Sequence, residues 1–264
     1  MDFQENIELT LKEIKEEGHS IDARKLNERN GFDESHPQFF TGDLKSKFVV
    51  VHLNPKSNEE TEERNFSNSE EYFAYWQNFG THRYGNEYRT ANKKRKMSSF
   101  DKKQYSFFMQ EELGNSDSDW NKMERFINRK LQLEIIPFAS KSFDSKKLQN
   151  DIFVKEAFNR VLSEIASEER AVIIFCGVIF KELIKSYGGI ELPNSFRKKL
   201  PVANEKESKI DYEKIIYKIT VDNKEIKVIV APQFALQNGM QKKYSEMFTD
   251  ESKAIRKIIN ERNR

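Results

Sequence analysis

Phe48-Val49-Val50-Val51-His52-Leu53-Asn54-Pro55 is the stretch that decides the fold. Its four apolar residues in a row, entered from Thr41-Gly42-Asp43, are typical of a strand that is buried on both faces at the centre of an α/β sheet. Pro55 lacks an N–H and restricts the backbone of Asn54, so the strand must end there. His52 and Asn54 therefore lie at the edge where open α/β sheets bind ligands. The alternative is a core strand that ends in an ordinary Asn-Pro turn.

Helical and strand patterns alternate along the rest of the chain. Further strands are predicted at 131–136, 171–177, 215–220 and 224–230, the last two joined by a turn at Val221-Asp222-Asn223. Amphipathic helices are predicted at 4–17, 21–29, about 153–165, 178–186 and about 250–262, and another from 119 onward with Ser118 or Asp119 as its cap. The segment 187–212 is polar and predicts irregular structure. This alternation predicts a three-layer αβα fold with a central, mostly parallel sheet.

Composition predicts a folded chain with a heavily solvated surface. Hydrophobic residues make up 37% and charged residues 33% of the 264 residues, and the net charge is only +2. No global field therefore attracts nucleic acid, and any basic surface must come from local segregation of charge. We expect a single domain over residues 1–264 with a charged, aromatic insertion at about 56–118.

Cysteine and hydropathy patterns restrict the class of protein. Cys176 is the single cysteine, which excludes an internal disulfide framework and any multi-cysteine metal site and fits a reducing cytosol. No run approaches 18 apolar residues, and Met1-Asp2-Phe3-Gln4-Glu5 does not begin a signal peptide. We expect a cytoplasmic protein with no membrane partner, no metal and no cofactor.

The insertion at about 56–118 is acidic at its start and basic further on. Glu59-Glu60-Thr61-Glu62-Glu63 precedes the aromatic run 72–76, and basic residues follow from His82 to Arg89 and at 93–96. Arg and Lys interleaved with Tyr and Phe supply phosphate contacts and stacking faces for nucleic acid. Two other interpretations remain: the aromatic residues pack small helices of the insertion itself, or the insertion binds a protein partner.

Three strand-to-proline junctions together resemble the uracil-DNA glycosylase superfamily. Val51-His52-Leu53-Asn54-Pro55 is similar to its first motif, an apolar strand followed by Gly-x-Asp-Pro or, in the mismatch-specific branch, Gly-x-Asn-Pro. Glu134-Ile135-Ile136-Pro137-Phe138 resembles the second landmark, a strand ending in a base-reading Asn. Ala231-Pro232-Gln233-Phe234-Ala235-Leu236 resembles the last motif, a strand followed by His-Pro-Ser or Asn-Pro-Ser and a loop that enters the duplex. The likeness spans residues 41–240 in order.

The resemblance implies a role for each matching residue. Asn54 falls on the position that orients the attacking water, and His52 is placed to donate to the departing base or to act in acid–base catalysis. Phe138 would stack on the base, which Glu134 and Ser140 would also contact. The DNA-contacting residues implied are Pro232, Gln233, Phe234, Leu236, Gln237 and Asn238, with Phe234 or Leu236 as the wedge. The partner implied is DNA or a nucleotide.

Four positions depart from the family pattern. His52 replaces a glycine, Lys56 replaces a glycine or tyrosine, and Ala231 replaces the His or Asn that stabilises the departing base. Glu134 replaces the base-reading Asn, and an ionised carboxylate only accepts hydrogen bonds, so an amino-bearing base is favoured over uracil. Two functions remain open. The first is a DNA glycosylase-like hydrolase of base excision repair that binds a flipped or free nucleobase and cuts its N-glycosidic bond. The second is a catalytically inactive nucleotide- or DNA-binding protein.

Overall fold

The computed structural model describes residues 1–55, 64–91, 96–140, 152–201, 207–231 and 245–261. The helices in these ranges are α1 (Phe3–Glu17), α2 (Ile21–Asn30), α3 (Ser69–Gln77), α4 (Phe79–Tyr84), α5 (Asn86–Ala91), α6 (Ser99–Met109), α7 (Asp117–Arg129), α8 (Ile152–Ser167), α9 (Ile179–Ser186) and α10 (Thr249–Asn260). The strands are β1 (Phe40–Gly42), β2 (Phe48–His52), β3 (Leu131–Glu134), β4 (Val172–Cys176), β5 (Ile190–Glu191), β6 (Phe196–Pro201), β7 (Glu207–Val221) and β8 (Lys224–Ala231).

The strands form one sheet in the order β1-β3-β2-β4-β8-β7-β5, with β6 paired to β7. Its central strands β3, β2, β4 and β8 are parallel, whereas β1 and β7 are antiparallel to their neighbours. All five residues of β2 are buried. The predicted three-layer α/β fold with a mostly parallel sheet is therefore confirmed, with β2 at its centre.

Each face of the sheet is covered by helices, as parallel strands require. Val49 and Val51 point into a first core with α1, α2, α3, α8 and α9. Phe48 and Val50 point into a second core with α4, α6, α7 and α10. Since side chains alternate along a strand, His52 belongs to the second face.

Across the sheet, the parallel strands lie in the order β3, β2, β4 and β8. Numbered along the chain, these are the second, first, third and fourth parallel strands. The chain therefore leaves β2 toward one edge of the sheet and later returns to its other side at β4. In doubly wound sheets such a reversal opens a crevice at the carboxyl ends of the two strands that flank it. Here these are the ends of β2 and β4, at His52 and Cys176.

Two expectations about local structure were wrong. The segment 187–212 is not irregular, because it contains β5, β6 and the first part of β7, and β6 pairs with β7. These strands pair through their backbones, and their sequence has no regular alternation of apolar residues, so apolar periodicity does not reveal them. The cap of α7 is Ser116 rather than Ser118 or Asp119, and Ser116 forms a capping box with Asp119.

The described part of the insertion consists of α3 to α6, and several of its aromatic side chains pack within the protein. Tyr72 is buried against Phe40 and Phe66, which agrees with the packing interpretation of the insertion. Toward the surface, Tyr75 stacks on His82 with ring centroids 4.6 Å apart. No helix in the described ranges is both long and apolar enough to cross a membrane.

Candidate functional site

The carboxyl ends of four parallel strands meet at one rim of the sheet. His52 pairs with Glu134, and Cys176 pairs with Ala231. Val51 pairs with Phe175, so the first pair lies directly beside the second. The order across the rim is therefore Glu134, His52, Cys176 and Ala231.

The turns that follow β2 and β3 are joined by hydrogen bonds beyond the ends of the strands. The amide nitrogen of Asn54 donates to the Ser140 hydroxyl over 2.9 Å and to the Pro55 carbonyl over 3.0 Å. The backbone N–H of Ile136 donates to the carbonyl of Leu53 over 2.7 Å. Two predicted site residues that lie 86 positions apart in the chain, Asn54 and Ser140, are thus in direct contact.

A network of buried polar side chains lies beneath this rim, on the second face of the sheet. The amide nitrogen of Gln104, on α6, lies 3.0 Å from Nε2 of His52 and 3.3 Å from Oε1 of Gln132. The Lys130 ammonium donates to the side-chain oxygens of Gln104 and Gln132. Gln132 donates to Oε1 of Glu134 over 2.8 Å. These groups connect α6 of the insertion to β2 and β3.

Burial shifts the pKa of every titratable group in this network. Burial, assisted by the positive charge of Lys130, lowers the pKa of His52 to about 3. Burial lowers the pKa of Lys130 to about 8, although Asp101 and Glu134 favour its charged form. Burial also raises the pKa of Glu134 to about 8, against the opposing effects of Gln132 and Lys130. At neutral pH, His52 is therefore neutral and Glu134 mostly protonated.

The protonation of Glu134 changes what this residue offers to a base. A protonated carboxyl group donates through one oxygen and accepts through the other, as an amide does. Its Oε2 atom is buried and has no hydrogen-bond partner among the described residues. The preference for amino-bearing bases assumed an ionised carboxylate, so that preference loses its physical basis, although the choice of base itself stays a prediction.

Other predicted site residues lie in different surroundings. Phe138 is 1% exposed in the first core, on the opposite face of the sheet from His52, so its ring cannot stack on a base in this conformation. Ala231 is buried at the end of β8. The predicted DNA-contacting residues, Pro232, Gln233, Phe234, Leu236, Gln237 and Asn238, lie outside the described residues, as do Lys56 and residues 93–95 of the basic run, whereas Lys96 is exposed.

Sequence reasoning missed three members of the network, Gln104, Lys130 and Gln132. For β3 a signal was present, because Lys130, Gln132 and Glu134 alternate with Leu131 and Leu133, which places all three polar side chains on one face of the strand. For Gln104 no local signal exists, since its partner His52 is 52 residues away.

A groove at the opposite rim of the sheet is separate from the candidate site. It has a volume of about 620 Å³ and is lined by residues at the amino ends of β4 and β8. Two of its acidic residues are already in ion pairs, Glu225 with Lys218 and Glu251 with Lys214, each at 2.7 Å. A cavity of about 10 Å³ that touches Glu134 is lined by residues of α1 and α8, so it lies on the first face of the sheet and not beside His52. The candidate site is thus defined by its side chains, of which His52, Glu134 and Ser140 are buried.

Comparison with known proteins gives no family for the chain. No protein-family model matches it, and no curated protein matches its sequence. Within the described ranges, no three His, Cys, Asp or Glu side chains are grouped so that they could hold a metal ion.

Proposed function

We propose that this protein binds a nucleobase, presented by DNA or by a nucleotide, at the carboxyl rim of β2 and β3, in the manner of a DNA glycosylase. The observation that supports this most directly is the contact between Asn54 and Ser140 beside the paired strand ends at His52 and Glu134. Amide, hydroxyl, imidazole and carboxyl groups together offer the donors and acceptors that read the edge of a base. The single buried thiol fits a cytoplasmic protein.

Hydrolysis of the N-glycosidic bond is the chemistry that this arrangement favours. The amide nitrogen of Asn54 is held by Ser140 and Pro55, which leaves its carbonyl oxygen to accept a hydrogen bond from an attacking water. As the bond to the sugar breaks, negative charge develops on the base, and a neutral imidazole N–H can stabilise that charge without prior protonation. His52 is neutral because its pKa is lowered to about 3.

An inactive binding protein is the second candidate. Ala231 supplies no side-chain donor to a departing base, although it stands at the end of β8 on the same rim. His52 lies beneath α6, where the Phe100 ring packs 5.4 Å from the imidazole. A base that binds without displacing Phe100 would contact only Asn54 and Ser140, and it would not be cleaved.

Duplexes that contain uracil, hypoxanthine or a modified cytosine test both candidates. Binding is measured by fluorescence anisotropy at low salt, where phosphate contacts are strongest, and base release by alkaline cleavage of the abasic product. We expect Asn54→Ala to abolish base release and to weaken binding of the preferred duplex at least tenfold. Asn159→Ala, on the exposed surface of α8, is the matched control and should change neither.

The outcomes separate the two candidates. Base release that depends on Asn54 supports the hydrolase, and binding that depends on Asn54 without release supports the inactive binder. Absence of both base release and base-selective binding in the natural protein would overturn the proposal.

A further inference from the structure

Hydrogen bonds join side chains of the insertion to side chains of the sheet. A cation at one end of this series of bonds fixes which group donates and which accepts. We infer that Lys130, acting through Gln104, holds His52 in the tautomer that has its proton on Nδ1. Lys130 and Gln104 are then positioning residues for the imidazole, and neither touches a ligand. That this imidazole faces a nucleobase rests on the proposed function, but the tautomer itself does not.

The orientation of the Gln104 amide follows from Lys130. An ammonium group has three donors and no acceptor, so the atom of Gln104 that faces it must be the carbonyl oxygen. Lys130 also donates to the oxygen of Gln132 over 2.9 Å, which confirms that its hydrogens point into the network. Lys130 is fully buried, and its ammonium lies 5.0 Å from the centre of the Phe126 ring. The buried cation therefore makes the reverse amide orientation costly, because a donor would then face a donor.

The amide nitrogen of Gln104 then faces His52. It lies 3.0 Å from Nε2 of the imidazole and 3.3 Å from the side-chain oxygen of Gln132. An amide nitrogen only donates, so Nε2 of His52 must accept and carries no proton. A neutral imidazole has its single proton on the other nitrogen, Nδ1. A doubly protonated ring is excluded by the same contact.

A fixed tautomer has a chemical consequence at the rim. The imidazole N–H is a donor of known position, whereas a freely exchanging ring would present a donor and an acceptor in turn. Such a donor matches the negative charge that develops on a departing base. The buried lysine beneath the strand ends then orients its neighbours electrostatically. Gln104 transmits that orientation from β3 to β2.

Nitrogen NMR of the ligand-free, ¹⁵N-labelled full chain reads the tautomer directly. The chain has four histidines, and the His52 signals are assigned by their loss in His52→Asn. In the natural protein we expect Nδ1 to show a directly bonded proton and Nε2 to resonate as an unprotonated nitrogen. In Gln104→Glu the new carboxylate accepts from Lys130 and from the imidazole, so we expect the proton to move to Nε2.

Two further variants complete the test. Ser106→Glu adds the same charge to α6 two residues away, on the side of the helix turned from Gln104, and should leave the tautomer unchanged. Lys130→Met releases the amide and should give a mixture of tautomers, which keeps the inference testable if Gln104→Glu does not fold. The inference would be refuted by a proton on Nε2 in the natural protein. It would also be refuted if the tautomer stayed the same in both Gln104→Glu and Lys130→Met. If the protein shows the expected tautomer but binds no base, the inference about the tautomer holds and the proposed function is wrong.

Discussion

Glu134 joins the sheet to the candidate site and is held mostly protonated by its burial. Its pKa is about 8 in the folded protein against an ordinary value of 4.5. Between these values the folded state holds a proton that the unfolded chain has released, so the stability that Glu134 contributes is present at low pH and is lost as the pH rises toward 8. We expect the free energy of unfolding to fall by about 2 kcal/mol more in the natural protein than in Glu134→Gln between pH 6 and 8. Urea unfolding at several pH values measures this difference.

The stability that His52 contributes changes with pH in the opposite direction, and this sets the useful pH range of the measurement. Its pKa is lowered from 6.5 to about 3, so its contribution is complete above about pH 6.5 and is lost as the pH falls. Burial also raises the pKa of Glu164, to about 7. Because Glu164 is present in both proteins, its contribution to stability cancels in their difference. Glu112→Gln, at an exposed position, is the matched control. Parallel stability profiles of the natural protein and Glu134→Gln would show that Glu134 is ionised when folded.

At the scale of secondary-structure elements, the junction of β1 with α7 and β3 depends on Gly42. Its φ is +88°, and a Cβ at this position would lie 1.9 Å from the carbonyl oxygen of Lys130 and 2.6 Å from that of Ile127. We expect Gly42→Ala to destabilise the protein by about 3 kcal/mol or more, since backbone must move in addition to the cost of a left-handed conformation. Gly18→Ala separates the two effects, because Gly18 has φ +77° with open space around it, and should cost about 1 kcal/mol. Equal losses in the two variants would contradict the close contact at Gly42.

Secondary-structure elements with a local signal could be predicted from the sequence, whereas those that depend on tertiary contacts could not. The strand β2 and its proline stop were predictable because an unbroken apolar run and an Asn-Pro pair are local signals. The β6 and β7 pairing was not, because those residues form hydrogen bonds without an apolar pattern. Asn54, His52 and Glu134 were found as strand-end residues, but their environment was not, since Gln104 reaches them from an insertion whose position depends on tertiary packing. The expected ionisation of Glu134 failed for the same reason, because burial is a property of the whole assembly.

At the scale of the whole molecule, the two cores lie on opposite faces of one sheet and share its central strands. Cys176 ends the central strand β4, between β2 and β8, and its side chain is fully buried in the second core. Burial raises the pKa of its thiol well above the ordinary value. A reactive thiolate at this position therefore requires at least the second core to open, and we expect this to accompany separation of the strands that both cores share.

Alkylation of Cys176 consequently reports the opening of the whole sheet. We expect iodoacetamide at pH 8 to modify the native protein more than a thousandfold more slowly than the urea-unfolded chain, because opening should require most of the global unfolding free energy. As urea is added, the labelling rate should rise in parallel with the unfolding equilibrium measured by circular dichroism. Ala171→Cys in a Cys176→Ala background places the thiol at the exposed residue before β4 and should react at nearly the unfolded rate. Rapid labelling of Cys176 well below the unfolding transition would mean that the rim opens separately from the two cores, and it would contradict the cooperative opening that we expect.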